Sequence, residues 1–430
     1  MSALTAHITT FNCARTLPSS SHLAASLFSN SSTLPPDLVV LCLQEIAPIG
    51  HAFLGGSHLA PYFASFTTIV QNAMSQHFES SAEYIPLLTR NAGLTALMVF
   101  ARPGLKDIIR WVETAGVGVG MYEMGNKGAV GVRLGLEGDN DETVPVTFVS
   151  AHLAPMEDQC QRRNADWKDI CEGLVFTRDK TTTTSNGEDA QPLLGESTDD
   201  TEHHSGSEST LFSPLSHVFF AGDLNYRTAD IAPDPSDHKI WPHPTSDPSH
   251  PSYRDLWAND QLNRELRKGN TLHLLDEATV NFPPTYKYST ASRKAAEHGK
   301  PLPSGGDEKQ NWPWAKHRVP SWCDRILYLS SSKPGVNYYD ALPVQPTSDH
   351  RPVSLSVSIP LRKPEAPAGK ATPFGFRKDW KERRAVARNY EVLVGIASYL
   401  ALTWEGEAIL FGSLVGILGG YVALRAMLGS

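Results

Sequence analysis

The stretch GDLNYR, residues 222–227, follows directly on the apolar run 218–221, which has the composition of a buried β-strand. A second stretch, SDHRP at 348–352, leads into another strand-like run at 353–357. Carboxylate, amide and imidazole groups are costly at the ends of buried strands unless they pair, bind a metal or take part in chemistry. Both stretches therefore indicate a polar site at the ends of strands.

The same arrangement recurs along the chain, in residues that end or precede predicted strands. Eight residues have this position: Asn12, Glu45, His152, Asp223, Asn225, Asp324, Asp349 and His350. Taken singly, each is better explained as a turn former, and only the eight together favour a shared site. Because ligands of open α/β sheets gather beyond the strand ends, we expect the eight to converge in one crevice.

Strand-like and helical segments alternate along the chain, which predicts an α/β fold. Helical spacing of apolar residues occurs at 156–174 and at 253–268. The many strands favour a sandwich of two β-sheets over a singly wound sheet. Two polar stretches, 180–210 and 289–316, contain few core residues and are predicted to be disordered or loop insertions.

The composition is that of a globular protein, with 40% hydrophobic and 20% charged residues and a net charge of −8. From residue 361 onward ten lysines and arginines outnumber six acids, so the preceding part of the chain carries the negative charge. A negative body argues against a general nucleic-acid binder, which normally shows a basic stripe. The five cysteines have no CxxC spacing, which favours reduced thiols and a cytosolic domain.

The residue types at the strand ends point to metal-assisted hydrolysis of a phosphate ester. Glu45 and Asn12 offer only a few oxygen ligands. This suits Mg²⁺, because the ion keeps several waters and takes oxygens of the substrate phosphate as further ligands. Asp223 could take a proton from water, while Asn225 orients that water if the strand continues through both residues. Nothing in this set resembles a thiolate-rich or histidine-rich zinc site.

Positive groups near the same strand ends suit an anionic substrate. His350, with Asp349 beside it and Asp324 as a candidate partner, could carry positive charge against a transferring phosphoryl group. Three basic patches accompany it: Lys127 in MGNKG, Tyr286 and Lys287 in TYKY, and Lys316 and Arg318 in KHR. Such patches favour a substrate with more than one phosphate, and solvated surface lysines are the competing interpretation.

Seven strings in the chain resemble, in order and character, those of the inositol polyphosphate 5-phosphatases. They are LQE (43–45), MGNKGAV (124–130), SAHL (150–153), GDLNYR (222–227), FPPTYKY (282–288), PSWCDRIL (320–327) and SDHRPV (348–353). The family they resemble belongs to the Mg²⁺-dependent endonuclease/exonuclease/phosphatase superfold. The resemblance implies a catalytic domain over residues 1–360, built as a four-layered sandwich of two mixed β-sheets flanked by helices.

The resemblance also implies an activity and roles for individual residues. The expected reaction removes the 5-phosphate of phosphatidylinositol 4,5-bisphosphate and gives phosphatidylinositol 4-phosphate, with soluble inositol polyphosphates as further candidate substrates. The expected ligands of Mg²⁺ are Asn12 and Glu45. The expected catalytic residues are His152 and His350 on the scissile phosphate, Asp223 and Asn225 on the attacking water, and Asp324 and Asp349 as electrostatic partners. The expected contacts to the remaining phosphates are Lys127, Tyr286, Lys287, Lys316 and Arg318.

After a linker and basic segment at 361–389, residues 390–430 are predicted to anchor the chain in a membrane. The run 392–404 has 13 residues, and 408–424 has 17 uncharged residues, the low end of what crosses a bilayer. Either 408–424 crosses alone while 392–404 lies at the interface, or both runs insert as a hairpin. A buried pair of C-terminal helices is less favoured, because these runs follow a Pro-rich linker and have no evident core to enter.

Basic residues before the apolar runs predict that the catalytic domain faces the cytosol in either case. The short span suits a thin bilayer such as that of the endoplasmic reticulum, and some fungal members of the resembled family are similarly tail-anchored. Gly412, Gly416 and Gly420 recur every four residues, a spacing that permits close helix contact and self-association in membranes.

Two other functions stay open at this point. One is an abasic-site endonuclease of the same superfold, which the acidic body, the apolar tail and the strings TYKY and WCDRIL disfavour. The other is a catalytically inactive phosphoinositide-binding membrane tether, which would need none of Glu45, Asp223 and His350. The predicted partners are therefore a phosphoinositide lipid and the membrane, and no nucleic acid.

Overall fold

Apolar and β-branched runs form the strands of this protein. The structure, a computed structural model, describes residues 3–29, 34–78, 84–139, 142–178, 209–246, 249–305, 311–366 and 374–429. In these residues the strands are β1 Ala3–Asn12, β2 Leu38–Gln44, β3 Ile85–Ala92, β4 Thr95–Ala101, β5 Ile109–Gly118, β6 Gly128–Glu137, β7 Thr143–His152, β8 Thr177–Arg178, β9 His217–Asp223, β10 Leu275–Glu277, β11 Asp324–Leu329, β12 Gly335–Ala341 and β13 Val353–Pro360. Most of the predicted insertion 180–210 lies outside the described residues.

The helices precede, follow or connect these strands. Over the same residues they are α1 Ser20–Leu27, α2 Ile49–Leu54, α3 Ala60–His77, α4 Cys160–Gly173, α5 Pro251–Ala258, α6 Gln261–Lys268, α7 Thr290–Glu297, α8 Trp380–Leu402 and α9 Trp404–Leu428. The strands form two mixed sheets, in the orders β12-β13-β1-β2-β4-β3 and β10-β11-β9-β7-β6-β5-β8. The pairs β1–β2 and β7–β9 are parallel, and the other neighbouring strands run antiparallel.

Three apolar layers hold the sheets and helices together. Between the sheets, buried residues such as Ile8 of the first sheet face residues such as Phe148 of the second. Outside the first sheet, Phe66 and its neighbours on α3 are buried, and outside the second sheet Trp167 of α4 is fully buried. Each such side chain contributes about 1.5–3 kcal/mol by leaving water. The predicted four-layered α/β sandwich of two mixed sheets is therefore confirmed.

Two local predictions are corrected by capping side chains. The predicted helix 253–268 is two helices, because the carboxylate of Asp260 accepts a hydrogen bond from the Asn263 N–H at 2.9 Å and starts α6 anew. The stretch 289–316, predicted to be a loop or disordered, contains α7. Its hydroxyl cap, Ser289, accepts from the Ser292 N–H at 3.1 Å, and the alanines that follow favour a helix.

Helix α8 packs on the two-sheet domain against α2. A Cβ built on Gly395 would lie 3.1 Å from the Cβ of Phe53, so a glycine allows the two helices to come this close. Arg388 also donates a hydrogen bond to the Leu54 carbonyl at 3.2 Å. The run 392–404 therefore does have a core to enter, and the interpretation in which it forms half of a membrane hairpin is wrong.

Helix α8 begins inside the predicted linker, and basic residues just before it and in its first turn contact the domain. Arg377 donates to the carboxylate of Glu172 at 2.8 Å, and Arg383 donates to that of Glu123 at 3.0 Å. The linker 361–389 is consequently shorter than expected, since α8 starts at Trp380 and residues 367–373 lie outside the described part of the chain.

Helix α9 follows α8 after a single residue, Thr403. Its hydroxyl accepts a hydrogen bond from the Gly406 N–H at 3.1 Å. A Cβ built on Gly406 would lie 2.5 Å from the Cα of Leu400, so the two helices are in close contact at their junction. Within the described residues, α9 is the one helix that is long and apolar enough to cross a membrane, and its apolar window is not buried at all.

Candidate active site

The strand pairing brings polar residues from both sheets to one edge of the sandwich. Asn12 ends β1, and Glu45 follows the parallel strand β2. In the second sheet His152 of β7 lies opposite Asp223 of the parallel strand β9. Asp324, the first residue of the antiparallel strand β11, also lies opposite Asp223. The expected convergence of these strand ends is therefore what the topology produces.

The carboxylate of Asp223 is the centre of the cluster and is buried. Its Oδ2 accepts a hydrogen bond from the Asn12 amide nitrogen at 2.9 Å and lies 3.2 Å from Nε2 of His152 and 3.9 Å from Nε2 of His350. Burial alone would raise the pKa of Asp223, but His350 and His152 outweigh it and hold the pKa far below its usual value. Asp223 is therefore an ionised carboxylate at neutral pH.

His350 is held against two carboxylates. Its Nδ1 lies 2.9 Å from Oδ2 of Asp324, which also accepts from the Thr285 hydroxyl at 2.7 Å. Burial alone lowers the pKa of His350, but Asp324 and Asp223 outweigh it and raise the pKa to about 9. The ring of Tyr286 packs on the imidazole with 4.5 Å between ring centroids. His350 is therefore an imidazolium at neutral pH, with Nδ1 donating to Asp324 and Nε2 directed towards Asp223.

Glu45 lies on the opposite side of the cluster, next to two cations. Its carboxylate is 3.1 Å from Nε of Arg15 and 3.8 Å from Nζ of Lys127, and Nζ of Lys127 also contacts the ring of His152. Burial raises the pKa of Glu45, but His152 and Lys127 outweigh it and hold the pKa below its ordinary value. For His152, burial and the charge of Lys127 lower the pKa, so this imidazole is neutral.

The oxygen atoms around Glu45 fit a hard divalent cation. The Glu45 side chain is 20% exposed and so remains accessible from solvent. Oδ1 of Asn12 accepts one hydrogen bond, from the Ala14 N–H at 3.0 Å, and an amide oxygen can accept a second partner. Oδ1 of Asp324, in the neighbouring cluster with Asp223 and His350, is buried and has no hydrogen-bond partner among the described residues. A donor set of carboxylate and amide oxygens is the kind that Mg²⁺ prefers.

Asn225 lies beyond the end of its strand, because β9 ends at Asp223 and Asn225 has φ +56°. Its amide donates to the Leu153 carbonyl at 3.1 Å, and its Oδ1 accepts from Arg227. Its backbone N–H donates to Oδ1 of Asp223 at 3.2 Å. The condition that the strand continues through both residues is therefore not met, and the contact of Asn225 with the Asp223 carboxylate is made by its main chain.

The predicted phosphate contacts lie at different depths. Lys127 and Tyr286 contact the histidines of the cluster, as described above. Lys287 forms an ion pair of 2.6 Å with Asp349, so Asp349 faces this lysine. Lys316 is exposed, and Arg318 lies 3.7 Å from the carboxylate of Glu157. The structure therefore brings Lys127 and Tyr286 against the two histidines and Lys287 against Asp349. Among the described contacts, Arg318 pairs with Glu157 instead.

Several residues that shape the site were missed by the sequence reasoning. Arg227 stacks on the Tyr286 ring at 4.4 Å, and Ser348 donates to the Asn12 carbonyl at 2.6 Å. With Thr285, which donates to Asp324, they lie inside the strings GDLNYR, SDHRPV and FPPTYKY. The sequence therefore contained a signal for these three residues. A buried arginine or hydroxyl residue needs a hydrogen-bond partner, and one that lies in a motif with site residues is expected to find its partner in the site. Arg15, the partner of Glu45, had no such motif to mark it.

Comparison with known proteins agrees with this arrangement. The model of the family described as Endonuclease/Exonuclease/phosphatase family 2 matches residues 9–356. The chain belongs to this family. The superfamily is metal-dependent, in accord with the oxygen-rich cluster at the sheet edge. The family recognition made from the seven strings is thereby confirmed.

Relatives within this family carry related names. Type II inositol polyphosphate 5-phosphatase 15 of Arabidopsis thaliana is 27% identical over 358 residues, which cover 76% of this chain and 29% of the relative. Type II inositol 1,4,5-trisphosphate 5-phosphatase of Mus musculus is 26% identical, over 77% of this chain and 27% of the relative. Phosphatidylinositol 3,4,5-trisphosphate 5-phosphatase 2 of Homo sapiens is 30% identical, over 63% of this chain and 18% of the relative. The chain thus spans less than a third of the length of these relatives.

A solved member of the family shares the fold. The inositol polyphosphate 5-phosphatase domain of SPsynaptojanin, in complex with inositol (1,4)-bisphosphate and calcium ion, matches with a TM-score of 0.58. The match is 22% identical and covers 92% of this chain and 93% of that one. At this level of identity the comparison supports the sandwich architecture and carries no information on the chemistry of the site.

Proposed function

We propose that this chain is a Mg²⁺-dependent phosphatase that removes the 5-phosphate of phosphatidylinositol 4,5-bisphosphate and gives phosphatidylinositol 4-phosphate. The observation that carries the proposal is the buried contact of one ionised carboxylate, Asp223, with Asn12, His152 and His350. Relatives are named inositol polyphosphate and phosphatidylinositol 5-phosphatases, which supports this substrate class. Soluble inositol polyphosphates are further candidate substrates because their phosphorylated ring presents the same groups.

The reaction proposed is an in-line attack of water on phosphorus. Asp223 orients the water and accepts its proton as the new oxygen–phosphorus bond forms and the bond to the inositol oxygen breaks. Its low pKa is compatible with this role, because phosphoryl transfer through a loose transition state depends more on positioning than on base strength. The imidazolium of His350 and the ring of His152 hold the oxygens of the scissile phosphate, where negative charge lies in the transition state. Asp324 keeps His350 charged and oriented.

The remaining groups bind the cation and the other phosphates. Asn12 and Glu45 would hold Mg²⁺, which supplies Lewis-acid polarisation of the phosphoryl group and stabilises charge on the leaving oxygen. Lys127 and Lys287 are proposed to bind the neighbouring phosphate of the inositol ring. Lys316, which is exposed, and Arg318 are proposed as further contacts to the headgroup.

Phosphate release from a panel of substrates tests this function. We expect release from vesicles containing phosphatidylinositol 4,5-bisphosphate and none from phosphatidylinositol 4-phosphate. Addition of EDTA is expected to lower the rate at least about 100-fold, and excess Mg²⁺ to restore it. Cleavage of abasic DNA without phosphate release would indicate the endonuclease instead. Headgroup binding without Mg²⁺-dependent turnover would indicate an inactive tether.

The proposed location is the cytosolic face of a membrane, with the endoplasmic reticulum as the membrane suggested by the short uncharged run. Helix α9 would be the single crossing, since α8 is occupied by its contacts with the domain. Self-association through Gly412, Gly416 and Gly420 stays a prediction. The basic residues before α9 support the cytosolic orientation.

Removal of residues 404–430 tests the anchor. We expect the shortened chain to leave the membrane fraction and to hydrolyse a soluble inositol trisphosphate within about twofold of the full chain, while its rate on vesicles falls about tenfold or more because tethering raises effective concentration. A chain that ends at Leu428 serves as the control. A shortened chain that stays in the membrane pellet would contradict the anchor, and full protection of the domain from protease in sealed microsomes would contradict its orientation.

A further inference from the structure

The tail helix α8 reaches the loop that carries Lys127. The carboxylate of Glu391, which is fully buried, accepts a hydrogen bond from the Gly125 N–H at 2.7 Å. Its second oxygen accepts from Arg388 at 3.3 Å, and Arg388 in turn donates to the carbonyls of Phe53 and Leu54. One carboxylate of the C-terminal region is therefore directed at the main chain of the MGNKG loop.

Gly125 is fixed from the other side as well. Its carbonyl accepts from the Leu94 N–H at 2.8 Å, in the turn between β3 and β4. A Cβ built on Gly125 would lie 2.8 Å from the carbonyl carbon of Ala92, so the loop lies directly against this hairpin. Both polar groups of the Gly125 main chain are thus satisfied, one by the hairpin and one by Glu391. Two residues further on, Lys127 enters the site and lies 3.8 Å from Glu45.

Packing of α8 on the domain does not by itself require this carboxylate. The helix is also held by Gly395 against Phe53, and by Tyr390, whose ring stacks on Tyr122 with 4.9 Å between centroids. A buried carboxylate costs free energy unless its hydrogen bonds repay the lost hydration. An apolar residue at 391 would avoid that cost, but it would leave the Gly125 N–H without its acceptor. The carboxylate is therefore better explained by what it does for the loop.

We propose that Glu391 is a positioning residue for the active site: it fixes the Gly125 main chain and thereby the placement of Lys127 against the substrate. The inference rests on the proposed phosphatase function. Helix α8 would then contribute to the active site whether or not the C-terminal region is bound to a membrane. A displacement of about 1 Å in a substrate-binding group can cost up to about 100-fold in rate, so the effect is measurable.

The test compares two residues of similar length at position 391. The full chain in detergent micelles is assayed on dioctanoyl phosphatidylinositol 4,5-bisphosphate with Mg²⁺, because this short-chain lipid needs no bilayer. Glu391→Met removes the acceptor and is expected to lower kcat/KM about tenfold. Glu391→Gln keeps an oxygen acceptor and is expected to stay within about threefold of the parent chain. Glu382→Ala, at an exposed position of the same helix, is the control and is expected to change nothing.

A double-mutant cycle distinguishes positioning from general loss of structure. In a Lys127→Ala background, Glu391→Met is expected to cause no further loss of kcat/KM. Full additivity of the two substitutions, or equal rates for the Met variant and the parent chain, would overturn the inference. If Glu391→Met does not fold, Glu391→Asp replaces it in the same double-mutant cycle with Lys127→Ala. Its shorter side chain keeps the carboxylate but does not reach Gly125. A parent chain without activity would instead reject the proposed function.

Discussion

The Asp223→Asn variant is expected to release phosphate at least about a thousand times more slowly than the parent chain while remaining folded. Asparagine has nearly the same shape, but it cannot accept a proton from water. Its amide would also place an N–H where Asp223 now accepts from Asn12 and faces two histidines. Both effects act on the attacking water. The measurement is phosphate release from vesicles containing phosphatidylinositol 4,5-bisphosphate, at saturating Mg²⁺.

The control for this variant is Asp255→Asn, at an exposed position of helix α5. It removes the same charge from the chain and is expected to leave the rate unchanged. Circular dichroism is expected to give a thermal midpoint for Asp223→Asn within about 5 °C of the parent chain. If the folded Asp223→Asn variant keeps more than a few per cent of the activity, Asp223 is not the group that activates water.

The His350→Gln variant is expected to lower the rate several hundredfold, because a neutral amide replaces an imidazolium next to the phosphoryl group. The parent chain should also lose activity as the pH rises through about 9, the pKa to which Asp324 and Asp223 raise His350. The sign follows from the raised pKa: His350 carries its charge at pH values below about 9 and loses it as the pH rises through that value. The residual activity of the variant should therefore not decline over that interval.

A pH series from 7 to 10 on the parent chain and on the variant provides the measurement. His298→Gln, at an exposed position after helix α7, is the matched control and should keep the alkaline decline. An unchanged alkaline decline in His350→Gln would assign it to another group and remove His350 from its proposed role.

Much of the site could be predicted because it depends on strands. Period-two and apolar runs locate strand ends, and parallel neighbours such as β1 and β2 put those ends at one edge. Asp223, Asp324 and His152 followed from this rule and were found together. For Asn225 the rule gives no direction, because it holds only while the strand continues and β9 ends at Asp223.

The tail was harder to predict because its partner lies far away in the sequence. Residues 392–404 are apolar enough to suggest a membrane, and local hydrophobicity cannot distinguish lipid from a protein surface. The surface in question belongs to α2, and the close approach depends on glycines on both helices: Gly50 against Tyr399 and Gly395 against Phe53. Such a match is visible only once both helices are placed. The same applies to Glu391 and its contact with Gly125.

The one-residue junction between α8 and α9 limits where this protein can act. Many membrane-tethered enzymes have a long flexible linker that lets the domain reach an opposing membrane. Here Thr403 alone separates α8, which packs on the domain, from α9, the candidate membrane helix. With α9 embedded, the domain stays at a fixed height and inclination above its own bilayer. Under the proposed function, we then expect substrate to reach the site by lateral diffusion within that bilayer and not from an apposed membrane.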